Sequence, residues 1–145
     1  MIRDHLIAAI KESFPGHTFS FPQSSNLVAT LQSCFAELGR LEIYDDGDEA
    51  TVSISEITHG HFNPYDTSLT ETQRDQEIVE DVIDFLRALL SDKVLLYRTP
   101  NRASGGWLRL DLLPEPPAFS SGSEYFLWSG PYDTHERRKA PGESS

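Results

Sequence analysis

A chain of 145 residues has the size of one domain and is long enough to bury a single hydrophobic core. With 38% hydrophobic and 24% charged residues, it fits neither an intrinsically disordered chain nor a membrane protein. Its 23 acidic residues against 12 lysines and arginines give a formal net charge of −11, which disfavours binding to nucleic acid and to anionic membranes. The amino-terminal residues show no secretory signal, and a single cysteine excludes an internal disulfide, so we expect a cytoplasmic bacterial protein.

Two helices are predicted in the first forty residues. Apolar residues recur at helical spacing over residues 2–14, before a Pro-Gly pair that a helix could not cross. Residues 26–38 carry a second apolar stripe, and Gly39 stands where a helix often ends on a residue with positive φ. We therefore expect a second helix over residues 26–38, after a short extended segment at residues 17–22.

The next segment predicts a β-hairpin. Apolar and polar residues alternate in residues 41–43 and 52–54, and the acidic segment 45–49 between them contains a glycine that can take positive φ. The alternation shifts by one residue after Ile54. We interpret this shift as a β-bulge at residues 55–56, with the end of the pairing as the alternative.

A third helix and three later strands complete the predicted fold. Ser68 and Glu71 have the spacing of a capping box, and a broad apolar face follows through residue 90. Strands are predicted at residues 94–97, 107–112 and 125–128, the last of them at a sheet edge. We therefore expect an α+β fold in which three helices pack against one antiparallel sheet of about five strands.

Residues 1–130 are predicted to form one globular domain. The following segment, residues 131–145, holds prolines, a glycine and terminal serines and has no periodic apolar face, so we expect a disordered C-terminal tail. From Ser129 onward acidic and basic residues balance. The whole excess of negative charge therefore belongs to the globular body.

The sequence His59-Gly60-His61 is the arrangement that suggests metal chemistry. Residues two apart on a strand face the same side, so both imidazoles could bind one metal ion, with Asn63 and Asp66 close by in sequence. The alternative is that one histidine binds a backbone carbonyl while the other is solvated. The sequence contains no phosphate-binding loop, metalloprotease helix or hydrolase nucleophile motif, and we expect no cofactor and no enzymatic activity.

Acidic residues cluster in the hairpin turn and along the third helix. On the helix, an acidic outer face is ordinarily just solvated. In the turn, four acids repel one another without an evident benefit to the fold, which favours a role in binding a basic protein partner. These candidate partner-binding residues are Asp45, Asp46, Asp48 and Glu49.

Two aromatic residues beside predicted loops add candidate partner contacts, because aromatic side chains often anchor protein interfaces. They are Tyr65 and Trp107. For Trp107 the alternative is an inward-facing indole that packs against the third helix.

One further feature is the run Glu56-Ile57-Thr58-His59-Gly60-His61-Phe62, which precedes the acidic helix and the strand at residues 94–97. This arrangement, over about residues 40–112, resembles small uncharacterised bacterial domains in which a strand ends in His-x-His-Phe-Asp. Such domains are similar to immunity proteins of bacterial polymorphic toxin systems. Asn63 stands where that pattern has Asp. The resemblance implies a small, acidic, cytoplasmic protein that binds and neutralises a cognate toxin domain.

Three functions therefore remain open from the sequence. The first is an immunity protein that neutralises a basic toxin by direct binding, and the second is an interaction or regulatory domain of unknown partner. The third is a small metal-dependent enzyme that uses His59 and His61. A toxin-like gene immediately upstream would distinguish the first from the second, and metal analysis of the purified protein would identify the third.

Overall fold

The structure, a computed structural model, describes residues 2–132 except 24, 56, 65, 100–103, 116, 118, 120 and 121. The helices within these residues are α1 (Ile2–Ser13) and α2 (Glu71–Leu90). The strands are β1 (Leu27–Gln32), β2 (Arg40–Asp45), β3 (Ala50–Ile54), β4 (Thr58–Phe62), β5 (Val94–Thr99), β6 (Ser104–Arg109), β7 (Glu124–Leu127) and β8 (Gly130–Pro131).

These strands form two antiparallel sheets. The N-terminal sheet has the order β1-β2-β3-β4, and the C-terminal sheet has the order β6-β5-β7-β8. Both helices pack on the inner face of the N-terminal sheet, where α1 contacts β1 and α2 contacts β3 and β4. Alternate residues of β2 and β3 point towards the helices and are fully buried, as strand geometry requires of a sheet with one covered face. These residues are Leu41, Ile43, Ala50, Val52 and Ile54.

The first and third predicted helices are confirmed. Helix α1 buries Ile2, Leu6 and Ile10, which follow one another at a spacing of four residues and so lie on one side. Helix α2 covers the sheet with the apolar face that the sequence predicts. Its buried residues are Ile78, Val82, Ile83, Phe85, Leu86, Ala88 and Leu89.

The capping box of α2 begins two residues later than predicted. The Thr70 side chain accepts a hydrogen bond from the Gln73 N–H, and the Gln73 side chain accepts one from the Thr70 N–H, at 3.2 and 2.9 Å. The Ser68 hydroxyl and N–H instead donate to the Asp66 carboxylate in the preceding turn. Ser68 is therefore not available to cap the helix with Glu71.

The second predicted helix, over residues 26–38, is wrong. This segment contains β1, which pairs antiparallel with β2, and a single 3₁₀ turn at Ala36–Leu38. A register shift near the start of β1 lets Val28 and Ala29 both be fully buried. Because two adjacent residues of a regular strand face opposite sides, this irregularity gives the strand an apolar spacing that resembles a helical stripe.

The single sheet of about five strands is also wrong, because the strands divide into two sheets of four within the described residues. Strands β4 and β6 lie beside each other at the junction without a hydrogen-bonded ladder. The indole of Trp107 in β6 lies against Gly60 in β4 and also contacts Phe62 and Phe85. This side chain fills the space between the two sheets and α2.

The predicted hairpin is confirmed as β2 and β3, which pair from Leu41 opposite Ile54 to Asp45 opposite Ala50. The predicted bulge at residues 55–56 is wrong. Strand β3 ends at Ile54, Ser55 takes a φ of 44°, and the chain reverses into β4. The change in alternation therefore marks the end of the pairing with β2.

The strands of the C-terminal sheet are close to the predicted ones. Strand β5 contains the predicted strand at residues 94–97, whereas β6 begins at Ser104 rather than Trp107. Its predicted end, Leu110–Leu112, is a 3₁₀ turn. Strand β7 pairs with both β5 and β8, so it is not at the sheet edge.

One hydrophobic core includes residues of both helices and both sheets. Pro131 belongs to β8, and the Tyr132 N–H donates to the Tyr125 carbonyl at 3.0 Å. Residues 133–145 lie outside the described residues, so the extent of the domain and the disorder of the tail stay predictions. Neither α1 nor α2 is long and apolar enough to cross a membrane, and the structure describes no other α-helix.

Candidate partner-binding surface

The hairpin turn between β2 and β3 carries the four acids selected from the sequence. The Asp46 N–H donates to the Glu49 carbonyl at 2.9 Å, and Gly47 takes a φ of 93°. The Asp45 carboxylate accepts a hydrogen bond from the Gly47 N–H at 2.9 Å. This bond holds the turn closed, since a short acidic side chain at the start of a turn can satisfy a backbone donor two residues later.

Two of the other acids make contacts with residues outside the turn. The Asp46 carboxylate accepts hydrogen bonds from the Asn26 amide at 3.1 Å and from the Thr51 hydroxyl. The Glu49 carboxylate lies 2.8 Å from Nδ1 of His61. The expectation that these acids do not help the fold is therefore wrong for Asp45, Asp46 and Glu49.

Asp48 is different, because it makes no hydrogen bond or ion pair with any described residue. It is exposed and lies at a groove of about 440 Å³ between the turn and the start of α2. The groove is lined by Gly47, Asp48, Glu71, Arg74 and Asp75. The turn thus brings one free carboxylate beside two from the helix.

A second groove, of about 490 Å³, lies between α1 and α2. Its lining includes His5 of α1 and Glu80 of α2, and it shares Glu71 and Asp75 with the first groove. The two grooves therefore adjoin. We call the four carboxylates that line them, Asp48, Glu71, Asp75 and Glu80, the acidic surface.

Elsewhere on α2 the acids have different surroundings. Partial burial, and then repulsion from Asp84 and Glu80, raise the pKa of the Asp81 carboxyl above its usual range. Asp84 pairs with Arg109 at 2.9 Å, and Arg109 also pairs with Asp111. The hydrogen bonds to Asp111 and Asp84 raise the pKa of the Arg109 guanidinium, and the bond to Asp111 is the largest cause. The carboxylate of Asp84 is therefore already paired within the protein, although Arg109 is shared between Asp84 and Asp111.

The two histidines lie on the outward side of β4, as the alternation along a strand predicts. Their ring centroids are 5.4 Å apart, and His61 also lies 3.0 Å from the Thr51 hydroxyl. Within the part of the chain that the structure describes, His59 and His61 have no third ligand placed to complete a metal site. The nearby Asp66 is bound to Ser68, and these hydrogen bonds lower its pKa. Metal binding by the two histidines stays a prediction.

Of the two aromatic candidates, only Trp107 lies among the described residues. Tyr65 lies outside the described residues. Trp107 is half-buried, with its ring centroid 4.4 Å from that of Phe85 on α2 and 6.4 Å from that of Phe62. The packing of this indole against the helix, the alternative drawn from the sequence, is confirmed, and its contact with a partner stays a prediction.

The structure adds residues that sequence reasoning did not select. Glu71 and Asp75 were recognised only as part of an acidic helix face, and His5 and Arg74 were not selected. The spacing of Glu71 and Asp75, four residues apart, places them on one side of α2. The sequence carries no signal that this side meets both α1 and the hairpin turn.

Comparison with known proteins gives no relative: no protein-family model, no curated protein and no solved structure matches this chain.

Proposed function

We propose that this chain is an acidic protein-binding module, and that its acidic surface binds a basic protein partner. The observation that carries the proposal is the meeting of two acidic segments at grooves that share Glu71 and Asp75. The turn and the helix are separated in sequence, yet Asp48 of the turn lines a groove together with both helix carboxylates.

Charge supports the same proposal. The net charge is −11, and the segment from Ser129 onward is neutral by itself, so the field belongs to the body that carries the acidic surface. A field of one sign around a groove accelerates association with a partner of opposite sign. Unlike Asp45, Asp46 and Glu49, the carboxylate of Asp48 is not engaged in bonds with described residues.

We further propose that the partner is a cognate toxin domain and that the protein acts in the bacterial cytoplasm as an immunity protein. The support for this step is the resemblance of about residues 40–112 to immunity-type domains. Direct binding to an acidic protein would cover a basic surface of the toxin, such as one that contacts nucleic acid.

The experiment is co-expression with the product of the adjacent upstream gene. We expect the two proteins to purify as one complex, and we expect the chain to restore growth of cells that express the neighbouring protein. A neighbouring protein that neither binds the chain nor harms the cell would contradict the immunity role. If the partner proved to be neutral or acidic, the proposed use of the acidic surface would also be wrong.

A further inference from the structure

His59 and His61 are exposed on the side of the N-terminal sheet that faces away from the helices. They lie opposite Ser53 and Thr51, which alternate with the buried residues of β3. The two ring centroids are 5.4 Å apart. Two imidazoles that bind one ion at a near-tetrahedral angle, each through a nitrogen at about 2.0–2.1 Å, have their centroids about 5 Å apart. The two rings therefore have the spacing that one shared metal ion requires.

The hydrogen bonds of His61 fix where its ring carries the proton. Its Nδ1 atom lies 2.8 Å from a carboxylate oxygen of Glu49 and 3.0 Å from the hydroxyl oxygen of Thr51. The carboxylate can only accept, and the Thr51 hydroxyl donates its own hydrogen to Asp46. Both oxygens therefore accept from Nδ1, and the lone pair of the neutral ring is on Nε2.

This arrangement is the one that supports a metal-binding histidine. A carboxylate bound to the far nitrogen fixes the tautomer, orients the ring and makes the other nitrogen a better ligand. Among the described residues, neither Nε2 of His61 nor the ring of His59 has a hydrogen-bond partner. Both rings can therefore bind an ion without losing a bond to the described part of the protein.

We propose that His59 and His61 together bind one divalent transition-metal ion such as Zn²⁺, through a ring nitrogen of His59 and Nε2 of His61, and that Glu49 is the positioning residue for His61. Imidazole ligands favour Zn²⁺, Ni²⁺ and Cu²⁺ over Mg²⁺ and Ca²⁺. Two protein ligands leave the other coordination positions to water, so the ion exchanges freely, unlike a structural zinc with four protein ligands. The site shares no residue with the acidic surface, so it does not depend on the proposed partner.

The test is a titration of the ¹⁵N-labelled full chain with Zn²⁺, followed by the imidazole nitrogen resonances of each histidine. We expect His59 and His61 to respond together at one ion per chain, with Nε2 of His61 as the ligand and the hydrogen retained on Nδ1. Mg²⁺ at the same concentration should shift neither ring. A response confined to other histidines, such as His5 beside the acidic surface, would overturn the site. Binding through Nδ1 of His61 would overturn the role of Glu49.

Three variants separate the ligands from the positioning residue. His59→Gln and His61→Gln should each abolish the shared response, whereas the matched control His17→Gln, at an exposed histidine elsewhere, should leave it unchanged. Glu49→Gln should weaken Zn²⁺ binding by about tenfold and let His61 take both tautomers in the metal-free protein, which a purely structural role would not cause. All variants are first checked for an unchanged melting temperature. Unchanged zinc affinity in His59→Gln would overturn the site, and unchanged affinity and tautomer in Glu49→Gln would overturn the role of Glu49.

Discussion

The indole of Trp107 in β6 lies directly against the Cα of Gly60 in β4, so that a Cβ at Gly60 would overlap the six-membered ring. This contact joins the two sheets at the strands where no hydrogen-bonded ladder connects them. On the other side, the indole packs on Phe85 of α2. The contact therefore couples the acidic helix to the strand that carries His59 and His61.

Substitution of Gly60 by alanine should destabilise the protein by about 1–3 kcal/mol, the usual cost of overpacking. The measurement is the free energy of unfolding from chemical denaturation. Gly16→Ala is the matched control, because a Cβ there meets no atom within 4 Å. In a Trp107→Leu background the cost of Gly60→Ala should fall; an undiminished cost would show that the indole is not its cause.

Phe85→Ala should destabilise the protein by about 3–5 kcal/mol, since Phe85 is only 3% exposed and packs against both Trp107 and Phe62. Glu80→Ala, on the exposed side of the same helix, should change the stability by less than about 0.5 kcal/mol. Equal denaturation midpoints for the two variants would mean that the buried face of α2 is assigned incorrectly.

Two acids of the hairpin turn should respond differently to substitution. Asp46→Ala removes hydrogen bonds to Asn26 and Thr51 and should cost about 1 kcal/mol, whereas Asp48→Ala removes none with described residues and should be nearly neutral. Thermal unfolding of the two single variants measures the difference. Equal losses of stability would contradict the distinction between structural and free acids in this turn.

Asp81→Asn should stabilise the protein at pH 7. The pKa of Asp81 is raised in the folded state, so folding favours the protonated form, and that favourable contribution is lost as the pH rises through the folded-state pKa. The uncharged asparagine should restore about 0.3 kcal/mol at pH 7, the size of a like-charge pair on a helix, and nothing at pH 3. Asp84→Asn is the control and should not stabilise, because Asp84 pairs with Arg109. A gain from Asp81→Asn that persisted at pH 3 would exclude a charge effect.

The strongest sequence patterns predicted the elements that the structure contains. Helix α2 follows from a long apolar face, and the β2–β3 hairpin follows from alternation around a turn that contains Gly47. Strand β1 was predicted as helix because its register shift buries the adjacent residues Val28 and Ala29. The two sheets meet at the contact of Trp107 with Gly60, and these residues lie too far apart in sequence to leave a local pattern.

The candidate site could be predicted only in part for the same reason. The spacing of the acids predicts a charged turn, but three of these acids bind groups within the turn, in β3, in β4 or just before β1. Whether Asp48 meets Glu71 and Asp75 depends on how α2 packs across the sheet after β4. No sequence pattern marks Arg74 as the basic residue within that groove.

The rate of association with the upstream gene product tests the central claim most directly. The variant Asp48→Asn/Glu71→Gln/Asp75→Asn removes three charges from the acidic surface, and Glu12→Gln/Glu37→Gln/Glu115→Gln removes three from exposed positions outside both grooves. At low salt we expect the first variant to associate about tenfold more slowly, with a flatter salt dependence, and the second to change by less than about twofold. Equal association rates and salt slopes for the two variants would contradict the account. The three carboxylates of the acidic surface would then affect association no more than three carboxylates elsewhere on the protein.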